Sequence, residues 1–325
     1  MNKRLIFIVI ILVLVVTLLF VAIYLCTHER KTIDISLASD TKFLKEKQIY
    51  VNLVDLGKQA SMIGPVSANN VETKRKFVSQ GSDIIQLAME LTLHDSYVDD
   101  TCRPDIANNY FRPLINLVCY SSDVAEADSK FYEASKFAIV LLQLGNSIAD
   151  GGYDEDYNCR TTCVYHATKR LFRLSENINH AQCLSLIENI RKLLEHSRHK
   201  DETEQFRQRI CLKEGQSVPI SEKRFQRFEF QKNYYQTALT LCLAKLSVQA
   251  HYSKFGEFPK ELASSSIEEF QFDINNSPWH IAYQVNENTY SLYSFGPDGI
   301  DDGGDFVSID QLERTGKGDL VFEDQ

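Results

Sequence analysis

Residues 280–306 read HIAYQVNENTYSLYSFGPDGIDDGGDF, and they divide the chain by period. Upstream, apolar residues recur at intervals of three and four. Beyond Phe270 they recur at every second position, the signature of strands. HIAYQVNENTYSLYSF therefore reads as two strands joined by a tight turn at Asn286–Asn288. Behind the second strand comes a stretch unsuited to a helix, with four aspartates and four glycines between Gly296 and Asp305. Asp298, Asp301, Asp302 and Asp305 would repel one another in one loop unless they were hydrated or neutralised. Calcium takes six to eight oxygens at about 2.3–2.6 Å, from carboxylates, carbonyls and water, and a glycine-rich loop can turn its carbonyls inward. The loop is thus either a solvated acidic turn, which composition alone favours, or a cation site. An EF-hand does not fit: counted from Asp298, position three is Ile300 and position twelve is Ile309. A nonapeptide calcium repeat does not fit either, because there is a single copy.

Working back from the strands, Ser221 to Lys254 reads as a long amphipathic helix. It carries Tyr235, Ala238, Leu239, Cys242, Leu246 and Ala250 on one face. Gly256 ends it and Pro259 follows, leading into a loop with a short helix in FPKELASS, 258–265. Earlier still, from a first helix around 41–62 to about 255, the pattern is helical throughout. No proline occurs between Pro113 and Pro219, and breaks fall at Thr101–Pro104, Asn146–Tyr157 and Gly215–Pro219. Six or seven helices with short connections make a bundle.

The N-terminus adds a different element. Leu5 to Leu25, LIFIVIILVLVVTLLFVAIYL, contains no charge. Its length matches the hydrocarbon thickness of a bilayer, roughly 30 Å at about 1.5 Å per helical residue. The exit, Ala22-Ile23-Tyr24-Leu25-Cys26, is too bulky for a cleavage site or a lipoprotein-type cysteine, so the run reads as an uncleaved anchor. Lys3 and Arg4 before it favour a cytoplasmic N-terminus, which leaves the bulk of the chain outside the cytoplasm. The expected organisation is a cytoplasmic tip and transmembrane anchor over 1–31, an extracytoplasmic helical domain over 32–219 and a C-terminal module over 220–325. The fold class is mainly α with a small α+β module.

Charge and cysteines bear on partners and compartment. The chain carries a net charge of −9, and from Glu268 to Gln325 it has thirteen acids against two bases. Phosphate contacts need bases, so this tail excludes nucleic-acid binding there and suits a cation or plain solvation. Cys102, Cys119, Cys159, Cys163, Cys183, Cys211 and Cys242 lie beyond the anchor. In an oxidising compartment they suggest disulfides, with Cys242, inside a strongly apolar helix pattern, as a buried free thiol. CRTTCVYH, 159–166, would put Cys159, Cys163 and His166 on one helix face. A zinc site lacks a fourth ligand there, so disulfide partners elsewhere are the favoured reading. DGGYDED, 150–156, reads as a solvated helix connection. His180, His196 and His199 read as surface residues. Phe225, Phe228, Phe230, Tyr234 and Tyr235 read as packing. No nucleophile elbow, phosphate loop, dinucleotide fingerprint or metalloprotease motif occurs.

Three stretches in order resemble one family: HYSKFGEFPKEL (251–262), SPWHIAYQV (277–285) and YSLYSFGPDGIDDGGDF (290–306). Together they look like the globular part of the major pseudopilin of bacterial type II secretion systems. That family has a long helix, a Pro-Trp-Gly turn, a strand and a Y-x-L-x-S-x-G-x-D-G segment opening a calcium loop. Tyr290, Leu292, Ser294, Gly296, Asp298 and Gly299 match that segment. The resemblance, limited to about 225–325, implies that Asp298 and Asp305 are side-chain ligands of a structural Ca2+, with carbonyls from Leu292 and Ser294. Asp301 and Asp302 join them on chemical grounds. The family's Gly-Phe-Thr-Leu-Ile-Glu processing site is absent, His280 stands for the glycine after Trp279, and some two hundred residues separate anchor from module. The chain is therefore not read as a pilus subunit. It is more similar to bacterial membrane proteins with a pilin-type C-terminal module. The expected function is a non-enzymatic, single-pass inner-membrane protein whose helical domain binds an envelope or secretion-system protein. The alternatives are an atypical component of a type II secretion or type IV pilus-like apparatus, and an extracytoplasmic all-helical hydrolase.

Overall fold

A computed structural model describes residues 44–63, 70–96, 104–149, 154–199, 206, 221–262, 277–286 and 289–322. The expected anchor at 5–25, the break at 215–219, the turn residues 287–288, Cys102, Cys211 and most of DGGYDED lie outside the described residues. Among the described residues no helix is long and apolar enough to cross a membrane. Two units are distinguished, 1–47 and 48–325. Of the first, only 44–47 are described.

Helix α1 covers 44–63. Then come α2 (Val71–Gln80), α3 (Ser82–Leu91), α4 (Pro104–Ala127), α5 (Phe131–Ala149) and α6 (Asp154–Leu174). A single 3-10 turn, Ser175–Asn177, leads to α7 (His180–His199), and α8 spans Glu222–Phe255. Their ends follow the punctuation in the sequence. Asn70 caps α2 by accepting the Thr73 amide, Pro104 opens α4, and Gly256 closes α8 in the left-handed conformation at φ 76°. Eight helices are described between 44 and 255, against the six or seven expected. The unforeseen boundary is Gly81, which separates α2 from α3 and lies so close to Leu117 that a Cβ would meet its Cδ2 at 2.6 Å.

Two helices organise the bundle. α5, the apolar run FAIVLLQLG, packs between α4 and α6 and touches α7. α8 packs on α6 and α7 and reaches the sheet. It is not one-faced, as its pattern suggests. Between Tyr234 and Ala250 nearly every side chain is buried, including Leu241, Leu243 and Val248, which the apolar stripe leaves out. A helix apolar all round must be enclosed, and here helices cover one side and the C-terminal segment the other. Charges tie the outer helices together. Asp123 of α4 accepts Lys74 of α2 at 2.6 Å and Arg170 of α6 at 2.8 Å. Glu126 of α4 pairs with Arg173 of α6 through Nε at 2.9 Å and the terminal nitrogen at 2.5 Å.

The sheet is one antiparallel hairpin, β1 (Ile281–Asn286) and β2 (Thr289–Ser294), in the register Ile281↔Ser294 to Asn286↔Thr289. Two strands alone are marginal in water. These bury Ile281 and Leu292 in the same core as the helices, a continuous cluster running from Tyr50 to Phe322. Trp279 packs on Phe230 and Tyr234 at ring distances of 5.4 and 6.4 Å. Phe322 packs on Phe172 and Tyr234 at 5.6 and 6.4 Å. The aromatic series of α8 is thus packing, as its spacing suggests: Phe228 lies against Tyr157 and Phe206. A last short helix, α9 (Ile309–Thr315), was not foreseen although its signals are present. Ser308 caps it by accepting the Gln311 amide, and Gly316 ends it at φ 64°.

α5 crosses α6 closely at Gly145, where a Cβ would stand 2.9 Å from the Cys163 Cβ and 3.4 Å from the Arg160 Cα of α6. Overpacking of this kind costs about 1–3 kcal/mol, and valine brings no compensating helix propensity. Gly145→Val should therefore lower the melting temperature by several degrees in a thermal unfolding scan, at about 2–4 °C per kcal/mol.

Candidate metal centre

β2 leads directly into the acidic loop, and its edge is already engaged. The Phe295 amide donates to the His280 carbonyl at 2.9 Å, which makes that pair a bonded one in the ladder. By alternation Leu292 and Ser294 turn their backbone groups away from β1. Ser294 does so visibly: its amide donates to Leu320 O at 3.1 Å and its carbonyl accepts Leu320 N at 2.8 Å. The C-terminal segment thus lies along the open edge of β2, and an additional parallel bridge joins Phe306 to Asp319. The loop between these attachments is shaped by Gly296, Gly299, Gly303 and Gly304, all at φ between 68° and 83°, where glycine pays no Cβ penalty. Gly296 is also held against the Gly318 carbonyl, with no room for a side chain.

The expected ligands are distributed as follows. Asp298 is half-buried, and its Oδ1 accepts the Ile300 amide at 3.2 Å. Asp301 Oδ1 accepts the Tyr293 hydroxyl at 2.9 Å and the Gly303 amide at 2.9 Å. Asp302 and Asp305 are exposed. The acid that organises the loop is one the sequence reading passed over. Asp319 is fully buried, at 0 % exposure. Its Oδ2 accepts the Gly304 amide at 2.7 Å and the Asp302 amide at 3.1 Å. Its Oδ1, equally shielded, has no hydrogen-bond partner among the described residues. Burial pushes the Asp319 carboxyl above the ordinary carboxylate range. The Gly304 and Asp302 amides pull it back, and the charges of Asp302 and Asp301 push the same way as burial. Tyr293 shares this environment: burial, then the bond to Asp301, push its hydroxyl up to about 12.

A buried carboxylate oxygen without a donor is costly, and neutralisation by a proton or a cation relieves it. The groups here that could face a cation are all oxygens: the carboxylates of Asp319, Asp301 and Asp302 and the carbonyl of Leu292, while the Ser294 carbonyl already accepts the Leu320 amide. That chemistry suits a hard cation such as Ca2+ rather than zinc or copper. Among the described residues no three histidine, cysteine or carboxylate side chains converge into a ready-made ligand set. The fit is therefore one of donor type and charge, with Asp319 at its base. Asp298 is turned onto its own backbone.

The other candidates resolve as structure. Cys119, Cys163, Cys183 and Cys242 are buried free thiols on four different helices. The disulfides expected for them do not form, because each packs as a small apolar side chain, and Cys242 is the buried thiol anticipated. Burial pushes Cys119 up to about 11 and Cys183 and Cys242 up to about 12. Neutral thiols are poor nucleophiles and poor ligands. Burial likewise raises Cys163 and lowers His166, and among the described residues no three histidine, cysteine or carboxylate side chains converge at CRTTCVYH. His180 is half-buried rather than a surface residue, with Nδ1 2.9 Å from the Ala250 carbonyl. Neither a family model, nor a curated protein, nor a solved structure matches this chain.

Two measurements probe the loop. Gly296→Ala and Gly299→Ala both place a side chain at positive φ, but only at Gly296 does the Cβ meet backbone, the Gly318 carbonyl. Gly296→Ala should be the more destabilising by at least about 1 kcal/mol in denaturant titrations. The second concerns pH. An acid whose folded pKa is raised contributes stability that is complete below the ordinary value of about 4 and is lost as pH rises through the folded value. In chelator, the melting temperature of wild type minus that of Asp319→Asn should therefore fall as pH rises from about 4 toward neutrality.

Proposed function

We propose that this chain is a non-enzymatic, single-pass protein of the bacterial inner membrane. Its N-terminus lies in the cytoplasm, and its helical bundle lies outside as a binding surface for an envelope protein. The C-terminal pseudopilin-like loop is stabilised by one structural calcium ion. The tether rests on the uncharged run Leu5 to Leu25. The cysteines lend no support to an oxidising compartment. The calcium reading is carried by a single observation: Asp319 Oδ1 is buried without a partner beneath a loop that holds four further aspartates. A divalent ion at that oxygen offsets the repulsion felt by Asp319 from Asp301 and Asp302. Asp298 and Asp305 complete the shell if the loop closes, with the Leu292 carbonyl and the second lone pair of the Ser294 carbonyl, whose first is taken by the Leu320 amide.

The full chain in detergent provides the test. At a calcium concentration a hundredfold above Kd, binding adds about 2.7 kcal/mol of stability, so the melting temperature should rise by roughly 5–10 °C over that in chelator. Asp319→Asn keeps an oxygen for the Gly304 and Asp302 amides and removes the charge. It should melt no lower than wild type in chelator and lose most of the calcium response, and Asp298→Ala should reduce that response. Superimposable wild-type curves with calcium and with chelator would sink the proposal.

A further inference from the structure

Away from the acidic loop, α3, α5 and α7 border a surface cleft of about 290 Å3. Its floor is apolar. Ile139 and Val140 of α5 and Leu186 of α7 line it from the core, and Met89 of α3 is half-buried on its wall. Its rim is polar, and much of that rim is bonded within the chain. Gln86 donates to Glu90 at 2.9 Å, the Tyr132 hydroxyl to Ser185 at 3.0 Å, and the Asn189 amide to the Ser185 carbonyl at 2.8 Å. Leu93, just past the end of α3, stands at the cleft and is 69 % exposed, and Leu87 on α3 is 47 % exposed. A lone surface leucine calls for no explanation. A projecting leucine beside an apolar cleft does. Two opposite charges also line the cleft, Glu90 from α3 and Lys136 from α5, and both are exposed. The Glu90 carboxylate meets only the Gln86 amide, and Lys136 Nζ lies 4.6 Å from the Tyr132 ring centre. Among the described residues neither makes an ion pair.

We propose that this face is a contact between two copies of the chain related by a two-fold axis. Leu93 of each copy enters the cleft of the other, and Glu90 of each meets Lys136 of the other. A two-fold contact uses the same patch on both subunits, so that patch must carry the projecting group and its receptor, and both members of each charge pair. This patch carries all four. A foreign helix would need the cleft alone, and would leave the exposed leucine and the two charges without a role. Along α5 the cleft runs from Tyr132 to Gln143, roughly 16 Å at 1.5 Å per residue. That extent places the contact at the small end of specific interfaces, so association is expected at micromolar rather than nanomolar concentration. The inference does not depend on the calcium reading or on the compartment.

Sedimentation equilibrium of the full chain in density-matched detergent tests this. Wild type should show a reversible monomer–dimer equilibrium in the micromolar range. Leu93→Glu should weaken the dimer at least about tenfold, and Glu90→Lys and Lys136→Glu at least about threefold each. All three positions are exposed, so the variants keep their fold, which circular dichroism checks. The two charge reversals separate a two-fold contact from any other. Each alone sets like charges against one another at both symmetric contacts. Mixed in equal amounts, the two variants regain an opposite pair at both, so the mixture should form heterodimers at near wild-type affinity. A chain that stays monomeric at about 100 µM would overturn the proposal and leave the cleft to a different partner. A dimer unmoved by the three substitutions, held by the uncharged run at 5–25 or by another face, would overturn it as well. So would single reversals that weaken the dimer without rescue in the mixture.

Discussion

Between Tyr234 and Ala250, α8 offers water almost no face. A helix in a small bundle normally spends about half its circumference on the core and leaves the rest to solvent. Covering the remainder of α8 takes more surface than α6 and α7 supply. The sheet, Trp279 and Phe322 provide it, which is why the C-terminal segment belongs to the core that starts at Tyr50. The dependence runs in both directions. A two-stranded hairpin has too little apolar area to persist alone, and Ile281, Leu292 and Leu320 are buried in the cluster that α8 helps to build.

Much of this was legible from residue pattern. The change of period near 270 locates the sheet, and the Gly256–Pro259 pair ends α8 where the backbone turns left-handed. Less legible were features set by contact rather than local preference. The apolar stripe chosen on α8 omits Leu241, Leu243 and Val248 because a single periodic face is assumed. All-round burial is a property of what surrounds a helix. The cysteines were read through compartment, yet their burial on separate helices decides their state. By composition Asp319 is only one more acid of the tail. Its neighbours Gly318 and Leu320 carry no mark of a ligand loop, and its place beneath Gly304 follows from the return of the chain along β2.

That return also separates the two readings of the acidic loop. A merely solvated turn needs its carboxylates in water, and Asp302 and Asp305 satisfy it. Asp319 does not. It contributes two backbone hydrogen bonds through Oδ2, which is how a neutral side chain such as asparagine also fixes a loop. The second oxygen, shielded and without a donor among the described residues, is what a neutral side chain would not need. A carboxyl retained there at the expense of burial is explained by a positive partner, either a proton at low pH or a metal ion at neutral pH.

The position of Asp319 gives that partner reach beyond the loop. Leu320, next in the chain, is bonded to Ser294 at both its amide and its carbonyl. Phe322, two residues further, lies against Phe172 of α6 and Tyr234 of α8. Neutralising Asp319 therefore acts on the strand-like segment that closes the open edge of β2 and covers one side of α8. An unneutralised charge there bears on the same closure, because Asp319 immediately precedes Leu320, which is bonded to Ser294. The loop and the core are thus linked through Asp319, Leu320 and Phe322, and the stability of the helical bundle carries the electrostatic state of an acid that belongs, by sequence, to the tail.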